Sequence, residues 1–368
     1  MRLVDADSAA DYLRENGRLD SDEPVRVTEL TGGVSNVVLL VEREVGRSDF
    51  VVKQARGQLR VAEPWFCSVE RIWREVQVLR ICGQVLSNHD QDARPSSVAV
   101  TSNQETTVSR ATTPRLLFAD DENFLFAMSA APPHQVWKQH LLAGQVDPSI
   151  ALACGDLLGQ LHAGTWANQS IARDLGDRTF FDDLRIEPFY RHVISTHSAL
   201  QPRLEQLIDS IEDHCLALVH GDFSPKNLLV FGSQLMLVDF EVGHYGDPAF
   251  DVGFFLSHLV LKSLRAEFER PNEGRPLLDL TVQFWDAYRT RMMRRLDTVQ
   301  YSQLVRRAIQ HFAGCTIARV DGKSPVDYLQ TETQEVVRRL ATELLTSDVA
   351  TWDQVQQVIH RLAAPGAH

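Results

Sequence analysis

Residues 216–253 read LALVHGDFSPKNLLVFGSQLMLVDFEVGHYGDPAFDVG, and this stretch contains two short apolar runs that each end near a carboxylate. The first run, 216–219, leads to Asp222, and the second run, 235–238, leads directly to Asp239. Short apolar runs bounded by polar turn residues are typical of buried strands. The stretch therefore predicts two neighbouring strands whose ends present acidic side chains.

The spacing of the polar residues after the first run indicates a particular chemistry. Asn227 stands five positions after Asp222. Hard divalent cations take oxygen ligands, so Asn227 and Asp239 at the ends of neighbouring strands could share one ion that bridges nucleotide phosphates. Phosphoryl transfer asks a protein mainly for positioning and for neutralisation of charge. The alternative is that these residues only cap turns and a strand end.

The motif resembles that of the aminoglycoside phosphotransferase and choline kinase superfamily, on the residues 220–222 (HGD), Asn227 and 239–241 (DFE). Members of that superfamily phosphorylate hydroxyl groups of small molecules on a protein-kinase-like fold. The resemblance implies that Asp222 is the catalytic base and that Asn227 and Asp239 are Mg²⁺ ligands. Glu241 replaces the glycine of the protein kinase DFG, as it does in methylthioribose kinases, and is a further candidate for the metal. Asp251 is expected to support the loop structurally.

The amino-terminal region has the pattern of a strand, a tight loop and a strand. The loop, residues 31–36, reads TGGVSN. Gly32 and Gly33 would let the backbone approach nucleotide phosphates closely, and Ser35 and Asn36 could donate hydrogen bonds to them. A plain hairpin turn that binds nothing is the alternative.

The next strand, predicted over 49–54, carries a single lysine, Lys53, in mostly apolar company. In kinases this position holds the lysine that contacts the α and β phosphates of ATP, whereas a lysine that snorkels from a strand end is the alternative. Glu75, in a helix predicted over 69–82, could pair with Lys53, with Glu70 as the competing candidate. The segment also resembles methylthioribose kinases at the following positions: Lys53, Gln54, Ala55, Trp65, Arg71 and Glu75.

A polar segment and two further strands complete the predicted amino-terminal lobe. Residues 87–113 are rich in polar side chains with few large apolar groups and predict a flexible insertion, with a solvated loop that has no function as its simplest interpretation. Strands are predicted over 115–119 and 124–128. We expect the segment that begins at Met128 and ends at Ala131 to be the interlobe hinge, where backbone groups hold the adenine.

The rest of the chain is predicted to be mostly helical. Apolar residues at helical spacing predict helices over 148–165, 180–214, 254–264, 277–296, 301–318, 326–345 and 351–362. Arg319 and Lys323 are the candidate contacts to the substrate, although both could instead shape the loop around Gly322. Methylthioribose kinases carry an adjacent arginine pair near this point. Here Arg319 lies between Ala318 and Val320, which argues against methylthioribose itself.

The composition restricts the partners. With 37 basic and 49 acidic residues, the net charge of −12 disfavours nucleic acid and anionic membranes as partners. The first sixteen residues contain acids where a signal peptide needs an apolar core, and no apolar run of 18 residues follows, so we expect a cytoplasmic protein. The five cysteines are widely spaced and are expected to be buried, reduced thiols. A homodimer is left open.

The sequence thus predicts an α+β fold of the bilobal, protein-kinase-like type, with ATP and Mg²⁺ between the lobes. A small antiparallel-sheet lobe is expected over 1–129 and a larger, mostly helical lobe over 130–368. The predicted activity is transfer of the γ-phosphoryl group to a hydroxyl of a sugar-like or amino-alcohol substrate. An aminoglycoside would need several acidic contacts and choline an aromatic cage. A catalytically inactive, nucleotide-binding pseudokinase or scaffold is the alternative from another class.

Overall fold

The computed structural model describes residues 1–30, 35–58, 66–92, 108 and 110–364. The strands within these ranges are β1 Arg26–Glu29, β2 Asn36–Glu42, β3 Phe50–Ala55, β4 Arg110–Thr112, β5 Leu116–Asp120, β6 Leu125–Ser129, β7 Gln135–Val136, β8 Ala217–Val219, β9 Leu228–Phe231, β10 Gln234–Leu237 and β11 His244–Gly246.

The α-helices alternate with strands early in the chain and follow one another later. They are α1 Ala9–Glu15, α2 Arg71–Asp92, α3 Trp137–Leu142, α4 Pro148–Thr165, α5 Gln169–Leu175, α6 Thr179–Phe181, α7 His192–Thr196, α8 Gln201–Asp213, α9 Ala249–Glu269, α10 Gly274–Met292, α11 Thr298–Asp321, α12 Thr331–Thr346 and α13 Trp352–Ala363. A π-helical segment, Asp182–Arg191, lies between α6 and α7.

The chain divides into two units. Unit 1 comprises Met1–Gln84, Thr113–Pro133 and Val238–Glu241. Unit 2 comprises Val85–Thr112, His134–Leu237 and Val242–His368. Among the helices in the described ranges, none combines the length and the apolar character needed to cross a membrane.

Unit 1 is built on a five-stranded antiparallel sheet with the order β1-β2-β3-β6-β5. Its strands are rich in Val, Leu and Phe, which pack well on a pleated surface. Side chains of β2 and β3, among them Val37, Leu39 and Val52, form one buried cluster with Tyr12 and Leu13 of α1. Strand β3 is central and buried along its whole length, so any polar side chain on it needs a partner inside the protein.

Unit 2 is mainly helical, and its longest helices pack closely. Helix α4 meets α10 at Gly155, where an added Cβ would lie 2.2 Å from the Phe284 carbonyl oxygen. Two small sheets, β4-β10-β9-β7 and β11-β8, complete the unit. Helix α4 spans the predicted residues 148–165, because the Asp147 side chain accepts from the Ser149 amide and Pro148 occupies the first turn.

Several predicted elements differ from those observed. Residues 87–113 are not all loop, since α2 continues to Asp92 and β4 pairs in parallel with β10. Residues 87–92 have low helix propensity, so cooperative continuation of α2 and the pairing of β4 with β10 outweighed the local composition there. Helix α12 begins at Thr331 and not at residue 326, because the Val326 amide instead donates to the Arg319 carbonyl in the preceding loop. The five cysteines are free, but Cys215 is exposed at the end of α8.

Candidate functional site

Lys53 lies at the centre of a buried ion-pair array in unit 1. Its ammonium is 2.7 Å from a carboxylate oxygen of Glu75 and 2.6 Å from Asp239 Oδ1. Lys53 and Glu75 are 4% and 1% exposed, so neither charge has water as an alternative partner. The predicted pairing of Lys53 with Glu75, rather than with Glu70, is confirmed.

The fold explains why these groups meet. Lys53 is on β3, the middle strand of the sheet, and Glu75 is on the first turns of α2. The amide of Phe240 also donates to Glu75 Oε1 at 3.3 Å, which holds the segment Val238–Glu241 in unit 1. Burial lowers the pKa of Lys53, but Asp239, Glu75 and Glu241 outweigh it and raise that pKa above its ordinary value. The ammonium therefore stays charged.

Asp239 has a backbone conformation that few non-glycine residues adopt. Its φ of 72° lies in the left-handed region, which costs a residue with a Cβ about 1–2 kcal/mol. Such outliers concentrate at sites where the surrounding structure imposes a geometry for function. Here the geometry turns the Asp239 carboxylate toward Lys53 while leaving its side chain 26% exposed.

Three carboxylates of unit 1 lie close enough to hold one cation. Ligand oxygens of Glu75, Asp239 and Glu241 are all within 4.8 Å of one another. Two cations, Lys53 and Arg71, pair with them, which leaves one net negative charge when all three acids are ionised. Burial raises the pKa of Glu75, the Lys53 ammonium opposes that rise, and the other two acids reinforce it. A divalent cation fits the charge and the oxygen donors of this group.

Three side chains donate hydrogen bonds to the Glu241 carboxylate. Its Oε1 accepts from Ser35 Oγ at 2.6 Å, and its Oε2 accepts from Asn36 Nδ2 at 2.9 Å and from Arg71 Nε at 3.1 Å. Arg71 is fully buried and also donates to the carbonyl oxygens of Ser35 and Arg56. Ser35 and Asn36, predicted to contact phosphate, therefore use their side chains to fix Glu241. Their contacts to a nucleotide, and a metal bond from Glu241, stay predictions.

In unit 2, the Asp222 carboxylate is surrounded by donors. Asn227 Nδ2 donates to both the backbone oxygen and Oδ2 of Asp222, each at 2.9 Å. Arg185 lies 3.0 Å from Oδ1, and Lys226 lies 2.8 Å from Oδ2. The side-chain nitrogen of Asn227 is therefore used in two hydrogen bonds. Its side-chain oxygen makes none of the described contacts, so this oxygen is the atom able to ligate a cation.

Asp251 holds the loop that presents Asp222. Its carboxylate accepts from the backbone amides of His220 at 2.6 Å and Gly221 at 2.8 Å, and His162 approaches it at 3.3 Å. Asp251 is fully buried, and the bonds to His162 keep its pKa low against the opposing effect of burial. The structural role predicted for Asp251 is confirmed. Gly221 has φ 75°, and a Cβ there would lie 2.9 Å from the Val242 side chain, so the loop needs glycine at this point.

Arg185 and Lys226 were not identified from the sequence. Lys226 stands four positions after Asp222, and this short spacing is the signal that could have indicated it. Arg185 comes from the π-helical segment, 37 positions before its partner, and also donates from Nε to the Gly221 carbonyl at 2.7 Å. No local pattern connects such distant residues. π-helical turns are themselves frequent at functional sites.

The remaining candidate residues lie apart from these contacts. Met128 is in β6, paired with Val51 and Leu116, and its contact with adenine stays a prediction. Arg319 ends α11 and donates to the carbonyl oxygen of Ser324, so it does shape the loop around Gly322. Lys323 is exposed, with its backbone amide bonded to the Pro188 carbonyl. Gly32 and Gly33 lie outside the described residues.

Comparisons with known proteins give a consistent result. Residues 26–288 match the model of the phosphotransferase enzyme family. The methylthioribose kinase of Pectobacterium atrosepticum is 25% identical over 292 residues, covering 71% of this chain and 66% of that protein, so the chain spans about two-thirds of this relative. The methylthioribose kinase of Pectobacterium carotovorum is 24% identical over 98% of this chain and 90% of its own length. Among solved structures, a choline kinase from Cryptosporidium parvum superposes with a TM-score of 0.54 at 13% identity, covering 96% of this chain and 98% of that one.

Proposed function

The chain belongs to the phosphotransferase enzyme family, and from this premise we propose that it is an ATP-dependent kinase for a small molecule. The reaction transfers the γ-phosphoryl group of ATP to a hydroxyl of a sugar-like or amino-alcohol acceptor. The observation that carries the proposal is the ion-pair array in which buried Lys53 contacts Glu75 and Asp239 at once. Phosphoryl transfer needs such fixed charges more than it needs covalent chemistry.

Each residue of the array receives a role in this proposal. Lys53 contacts the α and β phosphates, and Glu75 orients its ammonium through their ion pair. Asp239 and the side-chain oxygen of Asn227 are the magnesium ligands, and Glu241 is held by Ser35, Asn36 and Arg71 as a fixed negative charge beside them. Magnesium, when bound, neutralises charge on the phosphates during transfer.

In this proposal, Asp222 contacts the hydroxyl group of the acceptor. Its carboxylate is 4% exposed and is held by Asn227, Arg185 and Lys226, so its direction is set before a substrate arrives. We assign to it the orientation of the acceptor hydroxyl and acceptance of its proton. Arg185 and Lys226 place two cations beside the carboxylate that would accept a hydrogen bond from that hydroxyl.

The test is ADP release from ATP and Mg²⁺ with a panel of sugars, sugar acids, sugar phosphates, amino alcohols and aminoglycosides. The variant Asp222→Ala should lower turnover by about 10³-fold or more while nucleotide binding, followed by calorimetry, stays within error. Asp209→Ala, which removes an exposed acid of α8, is the matched control and should leave both quantities unchanged. Chelation of the metal should abolish turnover.

Two results would contradict the proposal. Normal turnover by Asp222→Ala would remove the role assigned to that residue. Binding of ATP without transfer to any acceptor of the panel, or to water, would favour the nucleotide-binding scaffold instead.

A further inference from the structure

Besides Asp251, the buried length of helix α9 carries two ionisable side chains that lie one turn apart. Lys262 is 2% exposed and His258 is 8% exposed. Lys262 Nζ donates to the His258 carbonyl oxygen at 3.0 Å and lies 5.3 Å from the centre of the Tyr328 ring. Lysine is rarely buried unless it is paired with an acid. Within the described part of the chain, Lys262 forms no ion pair with a carboxylate.

Three polar atoms around this lysine are buried and make no hydrogen bond to the described residues: His258 Nε2, Arg319 Nε and Tyr328 Oη. The Arg319 guanidinium is also placed over the Phe189 ring, with 5.8 Å between its carbon and the ring centre. Most buried polar groups in native proteins have a partner, and those without one need an explanation. A bound polar ligand supplies one explanation for all three atoms.

The local charge is one-sided. Burial lowers the pKa of Lys262 well below its usual range, and Lys138, Arg319 and Arg265 lower it further. Burial likewise lowers the pKa of His258, followed by the effects of Lys262 and Arg319. Among the described residues, no carboxylate is one of the groups that act on the pKa of Lys262, so its surroundings favour an anion from outside.

The cluster lies beside Asp222 within unit 2. Arg185, which pairs with Asp222 at 3.0 Å, is 5.8 Å from the ring centres of both Phe189 and Phe254. Phe254 in turn packs against the His258 ring at 4.8 Å between centres. Burial lowers the pKa of Arg319, and the Asp222 carboxylate partly reverses that lowering, so the two charges are near each other.

We propose that His258, Lys262, Arg319 and Tyr328 form a subsite for an anionic group, a carboxylate or a phosphate, carried by the hydroxyl-bearing acceptor. Describing the ligand as an acceptor rests on the proposed function; the anion site itself does not. A bound anion favours the protonated form of Lys262, so Lys262 and Arg319 then supply the charge, and the unpartnered atoms of His258 and Tyr328 supply hydrogen bonds. The subsite repels cationic acceptors, so aminoglycosides and choline are disfavoured.

The first experiment measures anion binding without nucleotide. Calorimetry of the full chain with inorganic phosphate and with acetate should detect binding of at least one of the two anions. Lys262→Met should weaken that binding by about tenfold or more, while Arg294→Met, which removes an exposed cation of unit 2, should not. The melting temperature of Lys262→Met should rise, which shows that the variant folds. Phosphate binding alone indicates a phosphorylated acceptor, and acetate binding indicates a carboxylate. The subsite is refuted if neither anion binds or if Lys262→Met binds as well as the wild type.

The second experiment compares acceptors that differ only in the acidic group, such as ribitol with ribonate and glycerol with glycerol phosphate. The wild type should prefer the acidic member by about tenfold or more in kcat/KM, and Lys262→Met should lose that preference. Equal use of neutral and acidic members would overturn the subsite and leave the kinase proposal standing. Lys262-dependent anion binding without transfer to any acceptor would instead reject the kinase proposal and keep the anion site.

Discussion

Each unit contains a buried lysine, and the two lysines differ in whether carboxylates among the described residues contact them. Lys53 is 4% exposed and contacts the carboxylates of Glu75 and Asp239. Lys262 is 2% exposed and donates only to the backbone oxygen of His258 among the described contacts. Accordingly the pKa of Lys53 is raised, whereas that of Lys262 is lowered.

The difference shows which charges the fold itself neutralises. Burying an ammonium is costly unless an acid and further hydrogen bonds compensate for its lost hydration. The Lys53 ammonium is paired with two carboxylates before any ligand binds, and removal of the lysine takes the ion-pair partner from the buried Glu75. The cluster around Lys262 reduces stability until an anion arrives, which is the usual relation between a prepared binding site and the stability of its protein.

The largest effect is expected for Lys53→Met. Loss of the ammonium removes the ion-pair partner of the buried Glu75 and leaves this acid beside Asp239 and Glu241, so the free energy of unfolding should fall by about 3–5 kcal/mol. Turnover should fall by about 10²–10³-fold through loss of charge stabilisation. Urea unfolding and the ADP-release assay measure the two effects, with Arg294→Met as control. A stable Lys53→Met variant would break the contrast between the two lysines.

Lys262→Met should change stability in the opposite direction. Methionine fills a similar volume without a charge, so the free energy of unfolding should rise by about 1–3 kcal/mol in the absence of ligand. Urea unfolding with and without inorganic phosphate is the measurement. A destabilised variant would mean that the lysine has a compensating partner and that the comparison is wrong.

For Glu75→Gln we expect an effect smaller than that of Lys53→Met. The amide keeps a hydrogen bond to Lys53, and Asp239 still compensates the charge, so the loss should be about 1–3 kcal/mol. In the double variant with Lys53→Met and Glu75→Gln, the free energy of unfolding should fall by less than the sum of the two single losses. The coupling energy should be about 0.5–3 kcal/mol. Strict additivity in a double-mutant cycle would show that the pair does not interact.

The smallest effect concerns pH. The folded-state pKa of Lys262 lies below its ordinary value of 10.5, so between these two values the unfolded chain binds a proton that the folded chain has released. Stability of the wild type therefore rises with pH in that window relative to Lys262→Met, by at most about 1.4 kcal/mol per pH unit. Unfolding of both proteins from neutral pH to about pH 10 checks the trend. If the difference in unfolding free energy between the two proteins did not change with pH, the lowered pKa of Lys262 would be contradicted.

Much of the fold was predictable because strands and helices depend on patterns of residues that are close in the sequence. Strand patterns and capping residues act over a few positions, so β3 and α4 were placed close to their observed bounds. The predicted α+β fold class, protein-kinase-like with a small antiparallel sheet and a larger helical part, is confirmed by the likeness to choline kinase structures. The loop prediction for 87–113 was wrong at both ends, since composition alone does not show that α2 continues to Asp92 or that β4 pairs with β10 more than a hundred residues later. Residues 93–107 and 109 lie outside the described residues.

The site was predictable only where its residues share a motif. Asp222, Asn227 and Asp239 follow one another within a short stretch, and each ends or follows a strand. Lys262 and His258 were missed because they lie in the apolar run FFLSHLVLKSL, which indicates a core helix. Their spacing of four places both on one face of α9, and two ionisable residues on an otherwise apolar face were the available signal.

The sequence by itself determined the strands, the helices and the acidic motif, because these depend on interactions between near neighbours. Only the tertiary structure decided which charges are compensated. Glu75 reaches Lys53 from another element, and Arg185 reaches Asp222 from the π-helical segment. The absence of an acid near Lys262 is likewise a property of packing within the described residues, since burial sets the cost of a charge and only three-dimensional proximity can offset it.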